Sequence, residues 1–269
     1  MLPSPTSGPL DDIEFLARSA HRVTALDALA DGPRSRAELQ TMTGASTSTI
    51  GRTLREFEDR YWIERDGNAY VATSLGSFVA SGMRELVDRI ETEHKLRDVW
   101  EWLPAEASGF TVEMSADAIV TVAAVDAPYR PVNRFLSLLR ETDRLRFAGF
   151  DVALLEPCKD ELRRRIVDGM ETEIVDPPSV ARYVLSAHAD HCTGPLESGN
   201  LTVRIHDDLP LYGIGLFDDR VAISGYDPDS GTVRVLVDTD SSDAREWAES
   251  TYETYRRDSR SLTLETAGE

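Results

Sequence analysis

Apolar positions recur every three to four residues from Ile13 to Leu29, through Leu16, Ala20, Val23 and Leu26, which predicts one helix over 11–30. Asp11, Asp12 and Glu14 suit its start, and Asp31-Gly32-Pro33 ends it. Ser35 and Glu38 then form a capping box for a short helix, with Leu39 and Met42 expected inward and Gly44 as its stop. Ser46 caps the next helix, which would bury Ile50, Leu54 and Phe57. Trp62-Ile63 and Tyr70-Val71 flank Asp66-Gly67-Asn68, the mark of a hairpin with a tight turn. A long amphipathic helix follows over 74–102, its stripe made of Leu75, Phe78, Val79, Met83, Leu86, Val87, Ile90, His94 and 96–99.

Beyond the break at Pro104–Gly109 the period changes. Apolar, β-branched runs at 118–125, 150–155, 172–175, 201–205, 211–217, 220–224 and 233–237 predict strands. Helical patterns fill 131–142, 158–169, 178–190 and 241–258. Strands and helices alternate early and hairpins run late, so the second half is α/β with a mixed sheet. The turns fall at Asp218-Asp219 and at 226–231. Gly213 and Gly215 lie within a strand run and predict close approach of neighbouring groups.

The expected organisation is therefore a leader over 1–10, a first domain over 11–73, a connecting helix over 74–103, an α/β domain over 104–260 and a tail over 261–269. A chain of 269 residues is ample for two cores. The N-terminus lacks the basic and apolar regions of a signal peptide, no apolar run is long enough to span a bilayer, and the two cysteines form no disulfide framework. The expectation is a cytoplasmic protein without membrane contact.

Charge changes the picture more. The formal net charge is −19, and only Lys95 and Lys159 among the 29 basic residues are lysine. Such a composition resembles the proteins of halophilic archaea, whose carboxylate surfaces suit multimolar salt, where screening acts within about 3 Å. An ordinary acidic protein is the alternative. The charge is also uneven. Residues 1–103 hold 12 basic and 17 acidic groups, and residues 34–65 hold six arginines against five acids.

The least acidic stretch contains GASTSTIGRTLREFEDR. Its small, hydroxylated start leaves room for a nucleic-acid backbone, and Ser46, Thr47, Ser48 and Thr49 lie where helix amides meet phosphate. Arg52 and Arg55, with Ser48, fall opposite the apolar face and suit guanine or phosphate, while Arg65 and Asn68 on the hairpin would reach backbone or minor groove. Capping and a solvated arginine face would explain the same residues without DNA. The order of helix, short helix, turn, helix and hairpin resembles the winged helix-turn-helix domain of archaeal and bacterial regulators over about 12–75. That resemblance implies double-stranded promoter DNA as partner and, through the long helix, a homodimer.

The second half, through PYRPVNRFL, LPLYGIGLFDDRVAISGYD and the last helix, resembles the C-terminal domain of methanogenesis-regulatory-type archaeal regulators. It is also similar in outline to phospholipase D-like sensor domains. The resemblance implies a domain that senses a small molecule or mediates assembly and does no chemistry. No His is followed two residues on by Lys, as catalytic phospholipase D motifs require, and GxSxG, P-loop and GxGxxG patterns are absent. His188, His191 and Cys192, with Cys158, are the only metal-flavoured group, and a helix end explains the histidines equally. No metal, cofactor or catalytic residue is expected. A ligand would lie near the end of the first strand, with Tyr129, Arg130, Asn133 and Arg134 as candidates to hold an anion. The competing functions are a winged-helix module for protein contacts and an enzyme with an appended winged helix.

Overall fold

The computed structural model describes residues 8–105, 108–149 and 151–262, with only the backbone of 189–192. Most of the expected leader and tail, and the side chains of His191 and Cys192, lie outside the described residues. The chain divides into two compact units, residues 1–91 and 92–269.

In the first unit the helix expected over 11–30 is two helices, α1 (Pro9–Ala17) and α2 (Ala20–Ala30), broken at Arg18-Ser19. The break is stabilised locally: Arg22 Nη1 donates to the freed Phe15 carbonyl at 2.6 Å. Ile13 consequently faces out rather than in. β1 (Arg34–Ser35) leads into α3 (Arg36–Thr43), where Ser35 and Glu38 form the expected capping box. Met42 is exposed, contrary to the inward reading. Gly44 closes α3 in the left-handed conformation, φ 68°, which glycine adopts without Cβ strain.

α4 (Thr47–Asp59) buries Ile50, Leu54 and Phe57, with Gly51 and Thr53 also inside. β2 (Ile63–Asp66) and β3 (Ala69–Ala72) form the hairpin, and β1 joins its other side to give a three-stranded sheet in the order β1-β3-β2. The strand β1 was not legible from the pattern. Of the two turn residues, only Gly67 has positive φ, at 62°, as in a II′ turn. Phe15 packs edge-on to Phe57 and holds Arg22 and Arg60 over its ring at 4.1 and 4.0 Å.

α5 (Ser74–Leu96) begins at a tight junction. The Thr73 amide donates to the Trp62 carbonyl at 2.9 Å, and Thr73 Oγ1 donates to the Tyr61 carbonyl at 2.7 Å. Gly76 lies against the same Trp62 carbonyl; a Cβ there would sit 1.8 Å from that oxygen. Tyr61 completes the junction with φ 57°, an uncommon conformation for a residue with a Cβ.

In the second unit, short 3-10 turns at Trp100–Trp102 and Val112–Ser115 precede β4 (Ile119–Val122) and α6 (Arg130–Glu141). Next come β5 (Arg144–Ala148), α7 (Val152–Val167), β6 (Glu171–Asp176), α8 (Pro178–Ala187), α9 (Ala189–Ser198) and β7 (Leu201–Ile205). The late run is β8 (Tyr212–Leu216), β9 (Val221–Tyr226) and β10 (Val233–Thr239), followed by α10 (Ser242–Asp258) and β11 (Arg260–Ser261). They build a mixed eight-stranded sheet in the order β11-β7-β6-β5-β8-β9-β10-β4, parallel only across β5, β6 and β7. One core packs α6 and α7 on the sheet around Phe135, Phe147 and Leu154. The other gathers Phe110, Trp247 and Tyr252 with the opposite face.

Two expectations fail here. Of the strand expected over 150–155, the described residues 151–155 are instead the cap and first turn of α7: Asp151 accepts from the Ala153 amide at 2.9 Å. The strand lies earlier, in RLRFA. The helix expected over 178–190 is α8, and α9 follows as a separate helix. The two strand glycines are as expected. A Cβ on Gly213 would meet Phe147 Cζ at 2.7 Å and Tyr226 Oη at 2.8 Å.

Buried Asp238 of β10 receives both flanking arginines. Arg134 donates Nε at 2.8 Å and Nη2 at 2.6 Å, and Arg220 donates Nε at 2.7 Å. Burying a carboxylate is tolerable only with such partners.

Replacing Gly76 by Ala should destabilise the first unit by about 3 kcal/mol, because the methyl group must displace backbone rather than a flexible side chain. Thermal unfolding of parent and variant, followed by calorimetry, measures it.

Candidate nucleic-acid interface

The four hydroxyl residues at the start of α4 have distinct tasks. Ser46 is the N-cap: its Oγ accepts from the Thr49 amide at 3.2 Å. Ser48 Oγ and Thr49 Oγ1 lie 3.0 and 2.9 Å from it. Thr47 Oγ1 donates to Gln40 Oε1 at 3.1 Å and so ties α4 to α3. Ser46, Thr47 and Ser48 are exposed and Thr49 is half-buried. The amides of Thr47 and Ser48 belong to the first turn, where no i−4 carbonyl is available within the helix. An anion set there meets donors and the positive end of the helix together.

Ser48, Arg52 and Arg55 recur at i, i+4 and i+7 and all three are exposed, opposite buried Ile50, Leu54 and Phe57. The arginines of this region divide by their partners. Arg60 Nε binds Asp12 at 2.9 Å, and Arg65 Nε binds Glu58 at 3.1 Å with its guanidinium 5.5 Å from the Tyr70 ring centre. Arg36 reaches the Tyr70 hydroxyl at 3.4 Å. Arg52 and Arg55 form no ion pair among the described residues. Two uncompensated guanidiniums therefore stand on one helix face in a chain of net charge −19.

On the hairpin, Arg65 and Asn68 are exposed. Arg65 is not free as the pattern suggested, but an exposed pair is worth little and a phosphate can replace Glu58. Arg60 belongs to the core edge around Phe15. His21 touches Thr53 Oγ1 of α4 at 3.2 Å, and burial, with Arg22 and Arg52 nearby, lowers its pKa. The structure adds Gln40 and Tyr61 to the neighbourhood. Neither was legible: Gln40 needs the α3–α4 geometry, and Tyr61 stands out only through its backbone.

The four residues expected to hold an anion at 129–134 are not alike. Tyr129, Arg130 and Asn133 are exposed, and Arg134 is spent on Asp238. Among the described residues no group of His, Cys, Asp or Glu is arranged for a metal. Cys158 is fully buried, and burial pushes its thiol up to about 12, far from a thiolate ligand. His188 Nε2 lies 2.8 Å from Glu156.

Residues 128–258 match the family model of the methanogenesis regulatory protein FilR1, middle domain. Residues 10–95 match the HVO_A0261 N-terminal domain. No curated protein matches the chain. Among solved structures, the archaeal chromatin protein TrmBL2 is similar over 95% of this chain and 100% of its own, at 15% identity and TM-score 0.41. The phosphatidylserine synthase of Haemophilus influenzae Rd KW20 is similar over 54% of this chain and 39% of its own, at 13% identity and the same score of 0.41. Likenesses this distant carry no functional weight.

Ser46→Ala should cost about 1 kcal/mol of stability through the lost cap, whereas Arg52→Ala with Arg55→Ala should stay within about 0.5 kcal/mol of the parent. Urea unfolding of the three proteins separates a structural residue from residues free for a partner.

Proposed function

We propose that the chain is a DNA-binding transcriptional regulator that sets α4 in the major groove of promoter DNA and uses the second unit to sense a small molecule or mediate assembly. The observation that carries this reading is the pair of unpaired guanidiniums, Arg52 and Arg55, on the exposed face of a capped helix. The family match over 128–258 supports it. Ser46–Thr49 meet phosphate through amides and hydroxyls, Arg52 and Arg55 meet base edges or phosphate, and Arg65 and Asn68 meet the backbone beside the groove. We further infer a cytoplasmic, halophilic setting. There carboxylates serve hydration, and their long-range repulsion of DNA is screened. Among the described residues no helix is long and apolar enough to cross a membrane.

The second part of the proposal is a homodimer through α5. Met83 and Ala80 turn inward, but Leu75, Phe78, Leu86 and Ile90 are exposed, Phe78 by 80%. Around them Gly82 has nothing within 4 Å of where a Cβ would be. A symmetric partner helix would bury this stripe, and two readers would match a two-fold operator.

Fluorescence anisotropy with promoter fragments recovered by immunoprecipitation tests DNA binding. Arg52→Ala plus Arg55→Ala should weaken it about 100-fold and reduce the salt slope by roughly 2. Unchanged affinity overturns the assignment of α4. Failure of the parent to bind any fragment across a KCl series would favour a protein-contact module. Light scattering tests the dimer: the parent should show twice the chain mass, and Phe78→Glu with Leu86→Glu should show one.

A further inference from the structure

A cavity of about 120 Å³ lies in the second unit between its helices and the outer strands of the sheet. Leu162 and Ile166 of α7, Val184 of α8, Leu196 of α9, and Leu201 and Val203 of β7 make its walls apolar on several sides. Protein interiors seldom leave so much space between packed side chains. A space of this order admits one aromatic ring or a short branched alkyl chain.

The polar groups around it choose the other end of the ligand. Its acids are engaged. Glu156 accepts from Lys159 and from the Tyr183 hydroxyl, and His188 Nε2 lies 2.8 Å away. Asp176 has its own partner. In the adjoining groove Asp207 binds Arg260 at 2.9 Å. Arg163 differs: it lines the cavity, is exposed, and forms no ion pair among the described residues. Arg182, in the groove, is likewise without one.

We propose that this cavity binds a small monocarboxylate with an apolar body, aromatic or branched-chain, the body among the α7, α8 and β7 side chains and the carboxylate on Arg163. The site rests on the regulator reading only for its regulatory consequence, since binding is measured without DNA.

The experiment is calorimetric titration of the full chain with benzoate, isovalerate, benzyl alcohol and benzylamine. Benzoate and isovalerate should bind, benzyl alcohol about tenfold more weakly, and benzylamine not at all. Arg163→Gln should weaken benzoate about tenfold and leave benzyl alcohol unchanged, and Arg182→Gln should change neither. Val203→Trp should abolish binding by filling the space. If its thermal unfolding shows a lost fold, Ala181→Leu, a smaller filling from the α8 wall, takes its place. Absence of acid binding at 10 mM (roughly the weakest affinity of use to a cell), amine or alcohol binding as tight as benzoate, or benzoate retained in a folded, filled variant would each overturn the proposal.

Discussion

The bare Cα of Gly76 against the Trp62 carbonyl is the constraint on which the first unit depends. That carbonyl also takes the Thr73 amide, and the carbonyl before it takes the Thr73 hydroxyl. One dipeptide, Tyr61-Trp62, thus receives the start of α5 while it ends α4 and opens the hairpin. The left-handed backbone of Tyr61 is the cost of turning so sharply, of the order of 1–3 kcal/mol. Burial of Trp62 and Phe57 in one aromatic group with Phe15 offsets it. The exposed face of α4 and the hairpin therefore hold a fixed relation, which the proposed reading of a groove requires.

Much of this was legible because local chemistry and global packing agree there. The Ser35–Glu38 box, Gly44, the Ser46 cap and the Gly67 turn each have one physical use, and the apolar positions of α4 repeat without exception. What was not legible came from longer range. The break between α1 and α2 has no glycine or proline; it depends on Arg22 reaching the Phe15 carbonyl. β1 has two residues and exists only because β3 lies beside it.

In the second unit the errors have a common origin. RLRFA hides a central strand because two of its five residues are arginines. Arg146 is nevertheless accommodated by Glu249 at 3.1 Å and by the Tyr252 ring. DVALL looks like a strand because a short apolar run cannot distinguish a buried strand from the first turn of a helix. Arg134 looked available for a ligand because its partner, Asp238, is 104 positions away. Sequence spacing identifies charged residues well and their partners poorly, and partnership decides which charges are free to act. The same criterion separates Arg52 and Arg55 from Arg60, and Arg163 from Lys159.

The stripe on α4 has one more property. It is made of guanidinium and contains no amine, in a chain with two lysines, both outside the first 94 residues. Guanidinium keeps its proton at any pH a cell reaches, and acylation of lysine cannot touch it. The charge offered by this face is constant. In the dimer proposed above, control over it would come from geometry, through the placing of two such faces relative to each other, rather than from chemistry at the face itself.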